Sequence, residues 1–204
     1  LGTLYNTYSF FSLYANIDGF SYNENDIEHN DRPEIDRWIL SELNSLITKV
    51  DDHYNDYEPT KAARVISEFV IEYLSNWYVR LSRRRFWKGD YELDKISAYQ
   101  TLFTVLLNIS KISAPIAPFF MDKLYQDLTK NIASNKKESV HLDSFPKSNS
   151  SLIDLKLEDK INYAQRISSL TLSLRAKEKI KVRQPLNKIM VPVNNKEQKN
   201  QIEA

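Results

Sequence analysis

The sequence predicts a mainly α protein, an antiparallel helix bundle with a short extended segment near the C-terminus. Three observations carry this. Apolar residues recur at three- and four-residue spacing through most of the 204 residues. Pro33 and Pro59 stand where helices would begin, a position at which the missing N–H costs nothing. The breaks between the long periodic stretches are mostly short, which favours antiparallel neighbours.

The elements follow in order. Leu4, Tyr8, Phe11 and Tyr14/Ala15 make a helix over Thr3–Asn16, and residues 17–32 are a polar, acidic loop. Pro33 opens a second helix, with Glu34 and Asp36 at its positive end and a stripe of Ile35, Trp38/Ile39, Leu43, Leu46/Ile47 and Val50. Asp51–Glu58 breaks that pattern. Pro59 starts the longest helix, striped by Ala62, Ile66, Phe69/Val70, Tyr73, Trp77 and Leu81 and stopped at Gly89. A fourth helix spans Leu93–Ser113, Ala114–Pro118 turns the chain, and a fifth spans Phe119–Asn131. Val140–Leu142 is a candidate single strand. A sixth helix covers Leu155–Lys179, after which Ile180–Val182 and Lys188–Val193 read as extended around Pro185.

The net charge of +1 hides an asymmetry. Residues 1–79 hold 5 Lys/Arg against 14 Asp/Glu, a net −9; residues 80–204 hold 23 against 13, a net +10. Such a split suggests a face for an anionic partner. With no Cys there is no disulfide framework and no Cys-based zinc site, which fits a reducing, cytoplasmic setting. With three Gly, neither G-x-G-x-x-G nor the P-loop pattern can be written. No apolar run is long enough to cross a membrane as a helix. The chain starts at Leu1 without a signal-peptide design, so it reads as an internal piece of something longer.

No catalytic constellation emerges. His29, His53 and His141 are far apart, the acids Asp51, Asp52, Asp56 and Glu58 lack calcium-loop spacing, and no serine sits in G-x-S-x-G. The basic segments say more. Trp77–Lys88 packs Arg80, Arg83, Arg84, Arg85 and Lys88 among four aromatics, including Trp87. Guanidinium groups supply bidentate donors to phosphate and planar faces to bases, so this mixture suits a nucleic-acid surface. The competing reading is that some of these arginines pair with acids of neighbouring helices. A second segment holds Arg175, Lys177, Lys179, Lys181 and Arg183, the last three alternating with Ile180 and Val182 as on a strand with one wet face. It is either an RNA contact or a solvated helix end. Tyr54 and Tyr57, between the second and third helices, are the exposed candidates for base stacking, with a helix-end staple as the alternative.

These residues resemble a known family. Asn6–Phe20, with its Tyr-Ser-Phe-Phe-x-Leu-Tyr-Ala-Asn-Ile-Asp run, resembles the segment after the KMSKS loop of isoleucyl-tRNA synthetases of the eukaryote-like type. Glu34–Ser41 resembles the helix that opens the anticodon-binding domain of the Ile/Val/Leu enzymes. Trp77–Arg80 with Arg83–Trp87 resembles the isoleucine form of the long helix, Ala114–Phe119 the A-P-x-x-P-F turn, and Lys179–Leu186 the junction after the bundle. Together they cover nearly all of residues 3–193 in order.

The resemblance implies a class Ia synthetase anticodon-binding domain. Residues 1–32 would be a leading helix and acidic loop after a catalytic domain, 33–150 the bundle, and 151–204 the sixth helix with the start of a C-terminal junction. It implies a parent enzyme that charges tRNA(Ile) using ATP and magnesium. The catalytic and editing domains of the same polypeptide would be partners, with no membrane. The HIGH and KMSKS motifs do not occur in the sequence, so the fragment is expected to be inactive alone, to need no cofactor and to hold no zinc. Arg80, Arg83, Arg84, Arg85 and Lys88 would serve the tRNA backbone or the domain junction, while Asp36, Arg37 and Trp38 would be scaffold. The alternatives are a helical domain docking an acidic protein, the equivalent domain of a valyl or leucyl enzyme, and a basic helix at a membrane surface. The last is weakened by Asp154, Glu158 and Asp159 on the sixth helix.

Overall fold

The computed structural model describes residues 1–22, 25–88, 90–130, 137–193, 195, 196, 199 and 202. The chain divides into two compact units, Leu1–Ile153 and Asp154–Ala204. The first holds α1 (Gly2–Asp18), α2 (Glu34–Asn55), α3 (Pro59–Glu68), α4 (Arg80–Trp87), α5 (Leu93–Ser113) and α6 (Pro118–Thr129). The second holds α7 (Leu155–Lys177). Among the described residues there is no strand.

Helix α5 is the axis of the first unit. It packs against α1, α2, α3, α4 and α6, and its residues are buried on all sides rather than along one stripe. Ala98, Tyr99, Leu102, Val105, Leu106, Ile109 and Ile112 are fully enclosed, and each large apolar side chain so buried contributes about 1.5–3 kcal/mol. An all-round apolar helix is stable only in such a central place. Trp38 of α2 is wholly buried, as its place on the stripe predicts.

Between α3 and α4 the helix widens. Phe69–Val79 is π-helical, and the backbone stays in the right-handed helical region at both of its ends. Each wide turn takes about one more residue than an α-turn. This corrects the periodic reading of the long helix: Tyr73, Trp77 and Leu81 do not continue the stripe. The buried positions after Val70 are Leu74, Tyr78, Val79, Ser82 and Phe86, while Leu81 is largely exposed.

Three helices end in the same way. Gly19, Tyr57 and Lys179 all have left-handed φ, at 71°, 57° and 54°. In each case the following N–H reaches back five residues: Phe20 to the Ala15 carbonyl, Glu58 to His53, and Ile180 to Arg175. This is the Schellman closure, with a glycine at only one of three sites. It explains why α2 outlasts its expected end near Val50 and why α7 stops at Lys177. The expected stop at Gly89 lies outside the described residues, as does the expected last residue of the fifth helix, Asn131. Val140–Leu142 is a 3-10 turn, not a strand. It is held to α6 by Asp122, which accepts from the Ser139 hydroxyl at 2.7 Å and the Val140 N–H at 2.9 Å.

The acidic loop is tied to α5. Gln100 accepts from the Ile27 N–H and donates to the Asn25 carbonyl, both at 3.0 Å, while Arg32 donates to the Thr101 hydroxyl at 2.9 Å.

Candidate nucleic-acid interface

The structure sorts the arginine-rich segment into an inner and an outer set. Arg85 is the inner one. Its two terminal nitrogens donate to the two carboxylate oxygens of Asp36 at 2.6 and 2.8 Å, and its Nε donates to Asp94 at 3.0 Å. Asp36 is 0% exposed and also accepts from the Tyr78 hydroxyl at 2.8 Å and the Ser97 hydroxyl at 2.6 Å. Four donors thus satisfy one buried carboxylate, as burial of a charge requires. Burial alone would lower the Arg85 pKa, but Asp36 beside it raises it instead. Burial, and next the Asp36 charge, push the Tyr78 phenol well above its ordinary value. Arg85 therefore serves the join between α2, α4 and α5, as the competing reading of these arginines allows.

The outer set is Arg80, Arg83, Arg84, Trp87 and Lys88, all exposed. At about 100° per residue, Arg80, Arg83, Arg84 and Trp87 fall within an arc of about 100°, opposite buried Ser82 and Phe86. Lys88 follows with extended backbone and ends the helix. Among the described residues none of these four cations has an ion pair. Trp87 is 54% exposed in their midst. Unpaired cations on one helix face can neutralise a run of phosphates, and an exposed indole can lie against a base.

The second basic segment closes the other unit. Arg175 is occupied, donating from one nitrogen to the carbonyls of Lys181 and Gln184, both at 2.9 Å. Lys177, Lys179, Lys181 and Arg183 are exposed. The expected strand-like alternation is corrected. Left-handed backbone at Lys179 and a turn at Val182–Arg183, closed by the Gln184 N–H on Lys181, replace it.

The two tyrosines part company. Tyr54 lies inside α2, not in a loop. Its hydroxyl donates to the Ile112 carbonyl at 2.9 Å, its ring meets Phe145 edge-on, and burial pushes its pKa up to about 12. It is a packing residue in this fold. Tyr57 is 92% exposed, but Asp51, Asp52, Asp56 and Glu58 lie beside it in sequence, an unfavourable setting for phosphate.

Sequence reasoning did not single out the Arg37 side chain for its packing. Its Nε is buried and, among the described residues, finds no hydrogen-bond partner, a fact that only packing reveals. The charge split is partly internal, since Asp18–Lys95 at 2.9 Å and Asp36–Arg85 both join the acidic half to the basic half. Among the described residues, no three His, Asp or Glu side chains converge to hold a metal ion. No helix of the described residues is long and apolar enough to cross a membrane.

The family model described as the anticodon-binding domain of tRNA ligase matches residues 36–190. The isoleucine–tRNA ligase of Bacteroides thetaiotaomicron is 58% identical over 203 residues, 100% of this chain and 18% of that protein. That of Porphyromonas gingivalis is 59% identical over 203 residues, 100% of the chain and 17% of the relative. That of Dehalococcoides mccartyi strain 195 is 50% identical over 188 residues, 92% of the chain and 18% of the relative. The chain spans under a fifth of the length of these curated relatives.

Proposed function

Because the chain belongs to the family of anticodon-binding domains of tRNA ligases, we propose that it binds tRNA through the outer face of α4 as one part of an isoleucine–tRNA ligase. The observation that carries this reading is the set of four exposed cations without an ion pair among the described residues: Arg80, Arg83 and Arg84 on one face of α4, and Lys88 just past its end. Lys177, Lys179, Lys181 and Arg183 form a second, separate contact. The RNA is tRNA(Ile), in keeping with relatives that carry the name isoleucine–tRNA ligase. Catalytic and editing domains of the same polypeptide supply ATP- and magnesium-dependent charging, and the setting is the cytoplasm. This chain's own part is to hold and orient the RNA.

The test is direct. Binding of tRNA to the 204-residue chain is followed between 50 and 200 mM salt, a range over which a protein making six to ten phosphate contacts loses about 10³–10⁵ in affinity. Steep weakening is expected, with a shallower slope in the triple variant R80A/R83A/R84A. A flat salt response, or equal binding by the triple variant, overturns the reading. Equal affinity for tRNA(Ile) and another tRNA overturns the specificity but not the RNA contact.

A further inference from the structure

We infer that the cavity between α1 and α6 is a site for a small primary alkylammonium ion, its ammonium held at Asp127 and its alkyl chain laid against aromatic rings. The site shares no residue with the basic face of α4 and does not depend on the RNA reading.

The periodicity of α1 gives the cavity two unlike linings. Tyr8, Ser12 and Asn16 follow one another at four-residue spacing as a polar row, and Phe11 and Ala15 form the apolar row beside it. Asp127 of α6 stands by Tyr8. Phe20, Phe103 and Leu128 add apolar lining. The rings hold one another in place. Phe20 stacks on Tyr99 with centroids 5.0 Å apart, and Phe103 meets Tyr22 at 4.7 Å and Phe11 at 6.3 Å. The cavity is therefore formed in advance, as small-molecule sites usually are.

Charge decides the sign of the occupant. Among the described residues Asp127 is the one ionised side chain lining the cavity. Its Oδ1 accepts from Lys123 at 2.7 Å, but that lysine lies four residues back and is 72% exposed. Such a pair is weak, and a carboxylate has a second oxygen. Burial, and next the Asp127 charge, raise the Tyr8 phenol above its ordinary pKa, against smaller opposing effects of Ser12 and Lys123. The negative charge is thus felt along the polar row in spite of Lys123. An anion is repelled there, and a neutral alcohol leaves the charge unmatched. A primary ammonium has three N–H donors. Asp127, the Ser12 hydroxyl and the Asn16 amide oxygen are acceptors for them, the Asn16 amide nitrogen being turned to Ser12 at 3.4 Å. Aromatic rings add attraction for a cation within about 6 Å of their centres.

Size sets the length of the chain. The cavity measures about 70 Å³. A water takes about 10–15 Å³ on that measure, so there is room for about five heavy atoms. A butylammonium ion fits, and a nucleobase is too large.

Ligand-observed NMR on the 204-residue chain tests the site with n-butylammonium, 1-butanol, butyrate and tetramethylammonium. Butylammonium is expected to bind saturably, with its methylene protons shifted upfield by the surrounding rings. Butanol lacks the charge, butyrate carries the wrong one and tetramethylammonium has no N–H. Each should bind at least about tenfold more weakly. Asp127→Asn, at a half-buried position, should weaken butylammonium about tenfold. Ser12→Leu, which fills the cavity from its half-buried edge, should remove the upfield shift while circular dichroism shows the helices retained. The inference is overturned if butylammonium does not saturate, or saturates without an upfield shift as a surface counter-ion would. Equal binding by any of the three analogues, or undiminished affinity in both variants, overturns it as well. RNA binding is unaffected by any of these outcomes.

Discussion

Asp36 and Arg85, forty-nine positions apart, meet in a bidentate pair with contacts of 2.6 and 2.8 Å, and no solvent reaches the carboxylate. The pair ties the start of α2 to α4, and Ser97 and Tyr78 bring in α5 and the π-helical stretch. Removing one partner of a buried pair strands the other, at a cost of about 3–5 kcal/mol. Asp36→Ala is therefore expected to lower the unfolding free energy by about that amount in urea denaturation. A loss below about 1 kcal/mol would mean that the pair is not a structural tie.

The same geometry separates two kinds of arginine. Arg84→Ala should leave stability within about 0.5 kcal/mol, as surface substitutions do, and reduce the salt slope of RNA binding by about 0.7–0.9. Arg85→Ala should destabilise the fold instead. Parallel denaturation and salt-titration series on the two variants check this, and matching behaviour would erase the distinction between inner and outer sets.

Acid should unpick two carboxylates. Burial alone would raise Asp18, but hydrogen bonds from Tyr99 and Lys95 outweigh it and hold its pKa below the ordinary value. Asp143 is likewise lowered against its burial, chiefly by Lys111 and Tyr125. A lowered folded pKa adds stability that is full above the unfolded value and lost as pH falls through the folded one. The denaturation midpoint should thus drop below about pH 4, and Asp18→Asn with Asp143→Asn should flatten that drop. An unchanged acid limb in the double variant would exclude these groups as its source.

At the alkaline end, Tyr54 is held protonated by burial, with its pKa pushed up to about 12. Its contribution is full below the unfolded value near 10 and is lost as pH rises through about 12. Absorbance titration of tyrosinate should lose one of the components that titrate near pH 12 in Tyr54→Phe. The variant should also lose about 0.5–1.5 kcal/mol of stability with the bond to Ile112.

Helix closure offers a gain. Tyr57 sits at φ 57° with its side chain almost wholly in solvent, so Tyr57→Gly relieves backbone strain of about 1 kcal/mol or more and gives up little packing. Gly19→Ala should cost a similar amount. A Cβ there meets nothing within 4 Å, so the loss comes from its φ of 71° and not from a clash. Thermal melts of both variants test the pair, and a destabilised Tyr57→Gly would show that the tyrosine ring packs in solution.

Much of the fold was legible because its signals are local. Leu93–Ser113 follows from apolar periodicity, and both observed ends agree with it. α1 runs two residues past its expected end at Asn16, to Asp18, where left-handed Gly19 closes it. The end of α2 was hidden because Tyr57, not glycine, takes the left-handed position. The basic segment was visible as composition, five cations among aromatics, but the inward turn of Arg85 was not. Its direction depends on the phase of the helix at Phe69–Val79, and hydrogen bonds to the fifth residue leave no mark in residue type. Tyr54 was read as a loop residue for the same reason that α2 was cut short.

The wide turns of Phe69–Val79 work as a gear between core and surface. If one residue were lost there, everything downstream would rotate by about 100°. Arg83 would then inherit the buried seat of Ser82, and Arg85 would swing out from Asp36. The count of residues in an apolar stretch that itself carries no arginine thus decides which arginines meet the solvent.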